Sequence, residues 1–311
     1  MDVSVRQGSA LGWVWAGLLA VLVGAGMSAG AQQIALTFDD LPAHGPLPPG
    51  ETRIQVADKV IKSLKKAHVP PTYGFVNGVL VQDHPETGAV LAAWRAAGNP
   101  LGNHTWSHMN LNTNLPAAWE ADLLKNEPVL EKYAAGGDWH WLRFPFLAEG
   151  DTPEKHAEVR SFLAAHGYKI ADVTMSFGDY MWNEPYARCV AKGDAAAIAE
   201  LESSYLDAAA ADADFRRAMA KAVFGRDIPY VLLMHVGAFD GRMLPRLLKV
   251  YKDKGFSFIT LEEAEKDPFY RVDADPSLPA APDSLEGAMQ AKGLPFPPRP
   301  KMSVDLNALC R

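Results

Sequence analysis

Cysteine is scarce in this chain: only Cys189 and Cys310 occur in 311 residues. They form no metal or redox motif. One disulfide in an oxidising compartment and two unpaired thiols are both open readings. There is no basic cluster and no long run of like charge, and the formal net charge is −7. That argues against a nucleic-acid surface, which needs a clustered basic face. No long apolar run follows the amino-terminal one, so the rest of the chain is expected to be soluble, without stable membrane insertion. A G-x-S-x-G nucleophile elbow is missing, which speaks against a serine acyl-enzyme. There is no evident internal repeat. Charged residues make up 22% and hydrophobic residues 48% of the chain, enough for a substantial core and against global disorder.

The amino terminus carries one marked feature. Arg6 precedes an apolar stretch over 11–31 that ends in small residues, and Ala29-Gly30-Ala31 has the A-x-A pattern of a cleavage site. Residues 1–31 are therefore expected to be a signal peptide, leaving QQIALTFDD as the mature start. An uncleaved anchor is the competing reading, because the stretch is about long enough to span a bilayer. Export places the protein in the periplasm or outside the cell.

Beyond residue 31, short β-prone runs alternate with helical patterns. IALTF (34–38) reads as a buried strand that ends at Asp39-Asp40. Residues 52–68 carry Val56, Val60, Ile61 and Leu64 at helical spacing. Strands over 72–78, 167–175, 231–237 and 256–260 alternate with helices over 86–97, 116–134, 153–166 and 241–254. This order predicts an α/β fold with mostly parallel strands, open or closed. The alanine-rich stretch 187–224 reads as one or two inserted helices, an insertion spanning about 184–227. From 266 to 311 the chain is proline-rich and weakly periodic, and an extended tail is expected.

Five polar clusters interrupt apolar runs at similar places: Asp39-Asp40, HTWSH (104–108), RFPF (143–146), DYMW (179–182) and His235 after VLLM. Loops beyond the carboxyl ends of strands form the functional rim of such folds, so these clusters can meet. In a helical turn His104 and His108 would share one face. With one carboxylate they suit zinc or another borderline divalent ion. A turn before Pro42 is the plainer reading of the acidic pair. Neighbours on a strand point in opposite directions, so one aspartate can ligate while the other accepts a proton from water. Arg143 can pair with the second. His235 is read either as a structural histidine or as a general acid, with Asp179 able to orient its imidazole.

The ordered set TFDD, HTWSH, RFPF, Asp179-Tyr180 and LLMHVG resembles the polysaccharide deacetylase family, also called the NodB-homology or carbohydrate esterase 4 family. FVNG at 75–78 is similar to that family's second strand. Tyr180 departs from the tryptophan that usually follows the fourth-motif aspartate. The resemblance covers about residues 33–260. It implies a distorted (β/α) barrel of about seven strands, with 32–265 as the catalytic domain. It implies Asp40, His104 and His108 as ligands of a divalent metal, Zn2+ in the first instance, with Co2+, Ni2+ or Mn2+ as alternatives. It implies Asp39 as base, Arg143 as its partner, His235 as acid and Asp179 as the residue that tunes it. The expected reaction is hydrolysis of an acetyl group from an N-acetylated carbohydrate of the chitin-oligomer or peptidoglycan type. An O-acetyl xylan esterase and a non-catalytic carbohydrate-binding protein are the alternatives. Trp106, Trp139, Trp141 and Trp182 are read as sugar-groove rings or as packing. His44 is read as a substrate donor or a plain loop histidine.

Overall fold

Seven parallel strands carry the fold: β1 (Gln32–His44), β2 (Tyr73–Val76), β3 (Leu101–Asn103), β4 (Trp141–Leu142), β5 (Lys169–Ile170), β6 (Tyr230–Gly237) and β7 (Phe256–Ile259). They come from a computed structural model that describes residues 32–311 together with 1, 2 and 4. Apart from those three positions, the expected signal segment 1–31 lies outside the described residues. The strand order is β5-β4-β3-β2-β1-β6, and β7 pairs with the first residues of β1. Past β5 the chain reaches round to β6. Met175 bridges Leu232 in parallel, and the Leu233 N–H donates to the Met175 carbonyl at 3.0 Å. The sheet thus curls into the distorted barrel that the family resemblance implied, a closure that the strand–helix alternation left open.

β1 is the axis of this arrangement. From Ile34 to Ala43 every residue is buried, which matches a strand covered on both faces. The strand was expected to stop at residue 38 but runs on through the acidic pair. What holds it is pairing on both sides, to β2 and to β6, with the register broken beyond Phe38. Asp40 takes φ 59°, which interrupts the alternation of side chains. Both aspartates consequently reach the same cavity.

Helices pack outside the barrel. Arg53–Lys66 begins at a capping box in which Thr52 accepts from the Gln55 N–H and Gln55 accepts from the Thr52 N–H. Its buried face is Val56, Ala57, Val60 and Leu64. The alanine-rich insertion forms two helices, Asn183–Lys192 and Ala195–Phe224, separated at Gly193. Gly193 has φ 64°, a left-handed conformation that costs glycine nothing.

The tail differs from the extended form expected of it. It contains a helix, Leu285–Ala291, whose Leu285 and Met289 enter the main core beside the long insertion helix. Lys292 Nζ donates to the Val223 carbonyl at 2.6 Å. Cys189 and Cys310 are joined in a disulfide, which ties the chain end to the insertion. Arg188 adds bonds to the Leu306 and Leu309 carbonyls at 3.2 and 3.1 Å. Weak periodicity hid this segment because its order comes from docking and a cross-link. Among the described residues no helix is long and apolar enough to cross a membrane.

Candidate active site

At the carboxyl ends of β1, β3 and β6 lies a cavity of about 320 Å³. Asp39, Asp40, His104, His108 and His235 line it, with Phe144, Phe146, Leu147, Tyr180 and Leu233 as apolar wall and His44 and Ser176 at its margin.

The metal-type set is Asp40, His104 and His108. Their donor atoms all lie within 4.8 Å of one another. Asp40 Oδ1 is 3.5 Å from the Nε2 of each histidine, too long for a good hydrogen bond. It is, however, close to the separation of two donors about 2.1 Å from one tetrahedral ion, roughly 3.4 Å. Asp40 Oδ1 is buried and has no hydrogen-bond partner. His104 Nδ1 lies 2.6 Å from the Arg143 carbonyl, which can only accept, so Nδ1 carries a proton and Nε2 is the nitrogen that faces Asp40. An orphaned carboxylate oxygen facing two such nitrogens is the donor set a divalent cation fits. Burial, reinforced by His104, pulls His108 down to about 4 against the opposing pull of Asp40 and Asp39, so its imidazole is neutral near pH 7.

A second, overlapping group is Asp40, His44 and His235. Its nitrogens are partly spent. His44 Nδ1 is 2.5 Å from Asp40 Oδ2, and His235 Nδ1 is 2.9 Å from Asp179 Oδ1. The His44 bond removes the plain loop reading of that residue, because it fixes the second oxygen of Asp40. Burial alone would raise the Asp40 carboxyl. The His44 hydrogen bond and the fields of His104 and His235 outweigh it and hold the group well below the ordinary range.

Asp39 faces Arg143, whose Nη1 is 3.3 and 3.4 Å from its two oxygens. The guanidinium is wholly buried and each of its nitrogens donates: beside the Nη1 contact, Nε donates to the Ala171 carbonyl at 2.7 Å and Nη2 to Thr37 Oγ1 at 3.1 Å. A planar fork with three separate partners cannot swing, so Asp39 has a fixed cation beside it. On the opposite side, Asp179 accepts from both the backbone N–H and the ring of His235, at 2.7 and 2.9 Å. Burial pulls the His235 imidazolium down, but Asp179, with Asp40 and Asp39 behind it, pushes it up to about 10. Behind this pair Asn183 and Tyr205 hold the buried Asp240 at 2.9 and 2.8 Å. A Cβ on Gly237 would meet Asn183 and Asp240 at 2.2 and 2.3 Å, so only glycine fits the close approach after His235.

HTWSH does not form the helical turn in which its two histidines would share a face. Residues 104–108 are irregular, and Thr105 and His108 have φ of 58° and 57°. An amide network replaces the helix. Asn77 Nδ2 donates to the His104 and Thr105 carbonyls, Asn103 Oδ1 accepts from the Thr105 N–H, and Asp122 accepts from the Ser107 N–H and hydroxyl. Phe146 and Leu147 are also left-handed. Of eight non-glycine residues with positive φ among the described residues, five (Asp40, Thr105, His108, Phe146 and Leu147) belong to this site. Such backbone costs about 1–3 kcal/mol per residue and persists where surroundings over-determine it, often at functional sites. None of Trp106, Trp139, Trp141 and Trp182 lines the cavity. Trp182 and Trp141 are core residues, and the Trp106 ring lies under Lys125.

A family model described as polysaccharide deacetylase matches residues 27–171, the stretch that holds Asp39, Asp40, His104, His108 and Arg143. Over that segment the chain is similar to the polysaccharide deacetylase family. Two curated relatives carry the word deacetylase in their names. A chitin deacetylase of Colletotrichum lindemuthianum is 27% identical over 157 residues, 49% of this chain and 54% of that protein. The peptidoglycan-N-acetylmuramic acid deacetylase PdaC of Bacillus subtilis (strain 168) is 43% identical over 75 residues, 24% of this chain and 13% of that protein. The chain thus spans about half the length of the first relative and a small part of the second. Among solved structures, the fungal chitin deacetylase superposes with a TM-score of 0.51 at 21% identity, covering 75% of this chain and 86% of that one. A mutant of a CE4 family pseudoenzyme with restored enzymatic activity gives 0.51 at 17% identity, covering 76% and 68%. These superpositions speak for the fold. Asp179 and His235 lie beyond the matched segment and join the site through that fold.

Proposed function

We propose that this protein is an exported, metal-dependent hydrolase that removes an acetyl group from an N-acetylated carbohydrate of the chitin-oligomer or peptidoglycan type. The observation that carries the reading is the convergence on one cavity of a carboxylate beside a fixed guanidinium, an orphaned carboxylate beside two imidazoles, and an imidazolium held by a carboxylate. The names of the two curated relatives support the substrate class. Asp40, His104 and His108 would hold the ion, and a neutral-nitrogen and carboxylate set suits Zn2+. When bound, it would supply a Lewis acid for the acetyl carbonyl and lower the pKa of water at the site.

The remaining chemistry belongs to the side chains. Asp39 accepts the proton that the attacking water loses as its oxygen bonds to the acetyl carbon. Arg143 keeps that carboxylate aimed into the cavity before the transfer. Collapse of the tetrahedral intermediate breaks the C–N bond, and His235 donates a proton to the departing nitrogen, which leaves as an amine together with acetate. An amide needs this acid more than an ester does, because an amine anion is a poor leaving group. Phe144, Phe146, Leu147 and Leu233 offer an apolar wall to the acetyl methyl. A neighbouring depression of about 400 Å³ runs from His44 and Tyr180 to Met302 and Leu306 of the tail, leaving room for the sugar.

The test is acetate release by the Zn2+-loaded protein from N-acetylglucosamine oligomers and, separately, from acetylated xylo-oligosaccharides. Acetate from the first substrate is expected. Acetate from xylan alone overturns the amide assignment, and none from either overturns the deacetylase reading.

A further inference from the structure

A second group of ionisable side chains lies behind the cavity wall. Glu149 follows the Phe144–Leu147 segment, His156 and Arg160 stand on the helix Pro153–Ala165, and Asp172 follows β5. Glu265 ends the short helix after β7, and Asp273 belongs to the tail. A small cavity of about 40 Å³ touches Glu149 and Asp172, with Phe144 and Leu147 on its other side. The same two apolar residues therefore separate it from the active-site cavity.

The polar bonds here do not balance. Arg160 pairs with Asp273, Nη1 to Oδ1 at 2.9 Å, and spends Nη2 on the Val272, Asp275 and Leu278 carbonyls. Arg143, nearby, is committed to Asp39, Thr37 and Ala171. Asp172 is 4% exposed, lines the small cavity, and neither of its oxygens receives an N–H or hydroxyl donor; its side-chain neighbour is the Asp273 carboxyl. Asp273 Oδ2, Glu265 Oε2, Glu149 Oε2 and His156 Nε2 are likewise buried without partners. Burying an unpaired carboxylate is strongly unfavourable, so the native state needs a proton or a cation here.

Spacing favours the cation. Donor atoms of Glu149, His156 and Asp273 all lie within 4.8 Å of one another. Glu149 Oε2 and His156 Nε2 are 3.5 Å apart, beyond a good hydrogen bond and near the roughly 3.4 Å expected of two ligands on one ion. The same 3.5 Å recurs twice between Asp40 and its histidines. We propose that Glu149, His156 and Asp273, with Asp172 as a further oxygen donor, form a second divalent-cation site that fastens the tail to the wall of the active-site cavity. One imidazole with carboxylates suits Zn2+ or Mn2+.

The test uses the full chain in three forms: parent, His104→Ala/His108→Ala, and that double variant with Glu149→Gln added. Each is loaded with Zn2+ or Mn2+ alone, dialysed, and assayed for metal per chain and for thermal midpoint with and without chelator. The parent should hold two ions, the double variant one, and the triple variant none. Chelator should lower the midpoint of the double variant and leave that of the triple variant unchanged. Asp172→Asn in the double-variant background should weaken binding at least tenfold, which covers the case in which Glu149→Gln fails to fold. A double variant that binds no ion overturns the proposal. So does an Asp172→Asn variant that gains stability while its metal content stays the same, because the carboxyls then carry protons instead.

Discussion

The active-site cavity and the acidic cluster behind its wall draw on the same side chains, carboxylates with histidine and arginine, and are built in opposite ways. In the cavity each carboxylate has a dedicated partner: Asp39 has Arg143, Asp179 has His235, and one oxygen of Asp40 has His44. A single oxygen, Asp40 Oδ1, is left over, and it faces two imidazoles. Behind the wall, the one arginine, Arg160, bonds Asp273 alone among four carboxyl groups, and one oxygen each of Glu149, Glu265 and Asp273 and both of Asp172 are left without a donor. The difference teaches how to read buried charge. Where partners are assigned one to one, the leftover atom marks a reaction centre. Where charge exceeds partners throughout, the cluster marks something that must bind to hold the fold together.

The largest effect expected from breaking this pattern is at Asp39. Asp39→Asn keeps the shape and removes the proton acceptor, leaving Arg143 with a neutral neighbour. Hydrolysis of the acetylated oligomer should fall by about 10²–10⁴-fold in kcat. Metal content should stay at the parent value, since Asp40, His104 and His108 are untouched. Steady-state acetate release with metal analysis on the same preparation decides it. A kcat near the parent value would remove Asp39 from the role of base.

The next effect tests the other region. Arg160→Leu deletes the one guanidinium committed to the acidic cluster and leaves the tail carbonyls it holds without a donor. An uncompensated buried charge should cost about 3 kcal/mol of stability. Urea unfolding measures this as a lower midpoint at unchanged slope. A shift within about 0.5 kcal/mol, the range of ordinary surface substitutions, would mean the cluster is not short of positive charge.

The two regions also differ in how much of them can be read in the chain. TFDD, HTWSH, RFPF and LLMHVG are visible because polar groups break apolar strand runs, and the strand–helix alternation implies that such breaks share one rim. The 104–108 loop does not take the helical turn that would put both histidines on one face, because its shape depends on Asn77, Asn103 and Asp122, which no spacing rule connects to it. Tryptophans drew attention as sugar platforms, yet the wall is made by Phe144, Phe146 and Leu147, two of them in a left-handed conformation that sequence does not reveal. The acidic cluster was illegible altogether. Residues 149, 156, 172, 265 and 273 come from two loops, a helix start, a helix end and the tail, and nothing but tertiary packing relates them. Docking of the tail was hidden for the same reason, although its tether, Cys310, was one of only two cysteines.

The smallest expected effect concerns pH. Asp179 is the main reason that His235 is pushed up to about 10 in spite of burial. Asp179→Asn removes that charge and keeps an oxygen able to accept from the ring. His235 then loses its proton at lower pH, and the acid form is depleted on the alkaline side first. The rate should fall only about tenfold at the optimum, because the acid remains in place, while the alkaline limb of kcat/KM moves down by a unit or more. The acidic limb should move little, since Asp39 and Arg143 are unchanged. A loss of rate with an unshifted alkaline limb would make Asp179 a support for the β6 end without control of the His235 proton. The one-to-one pairing seen in the cavity would then be architectural on that side and chemical only at Asp39.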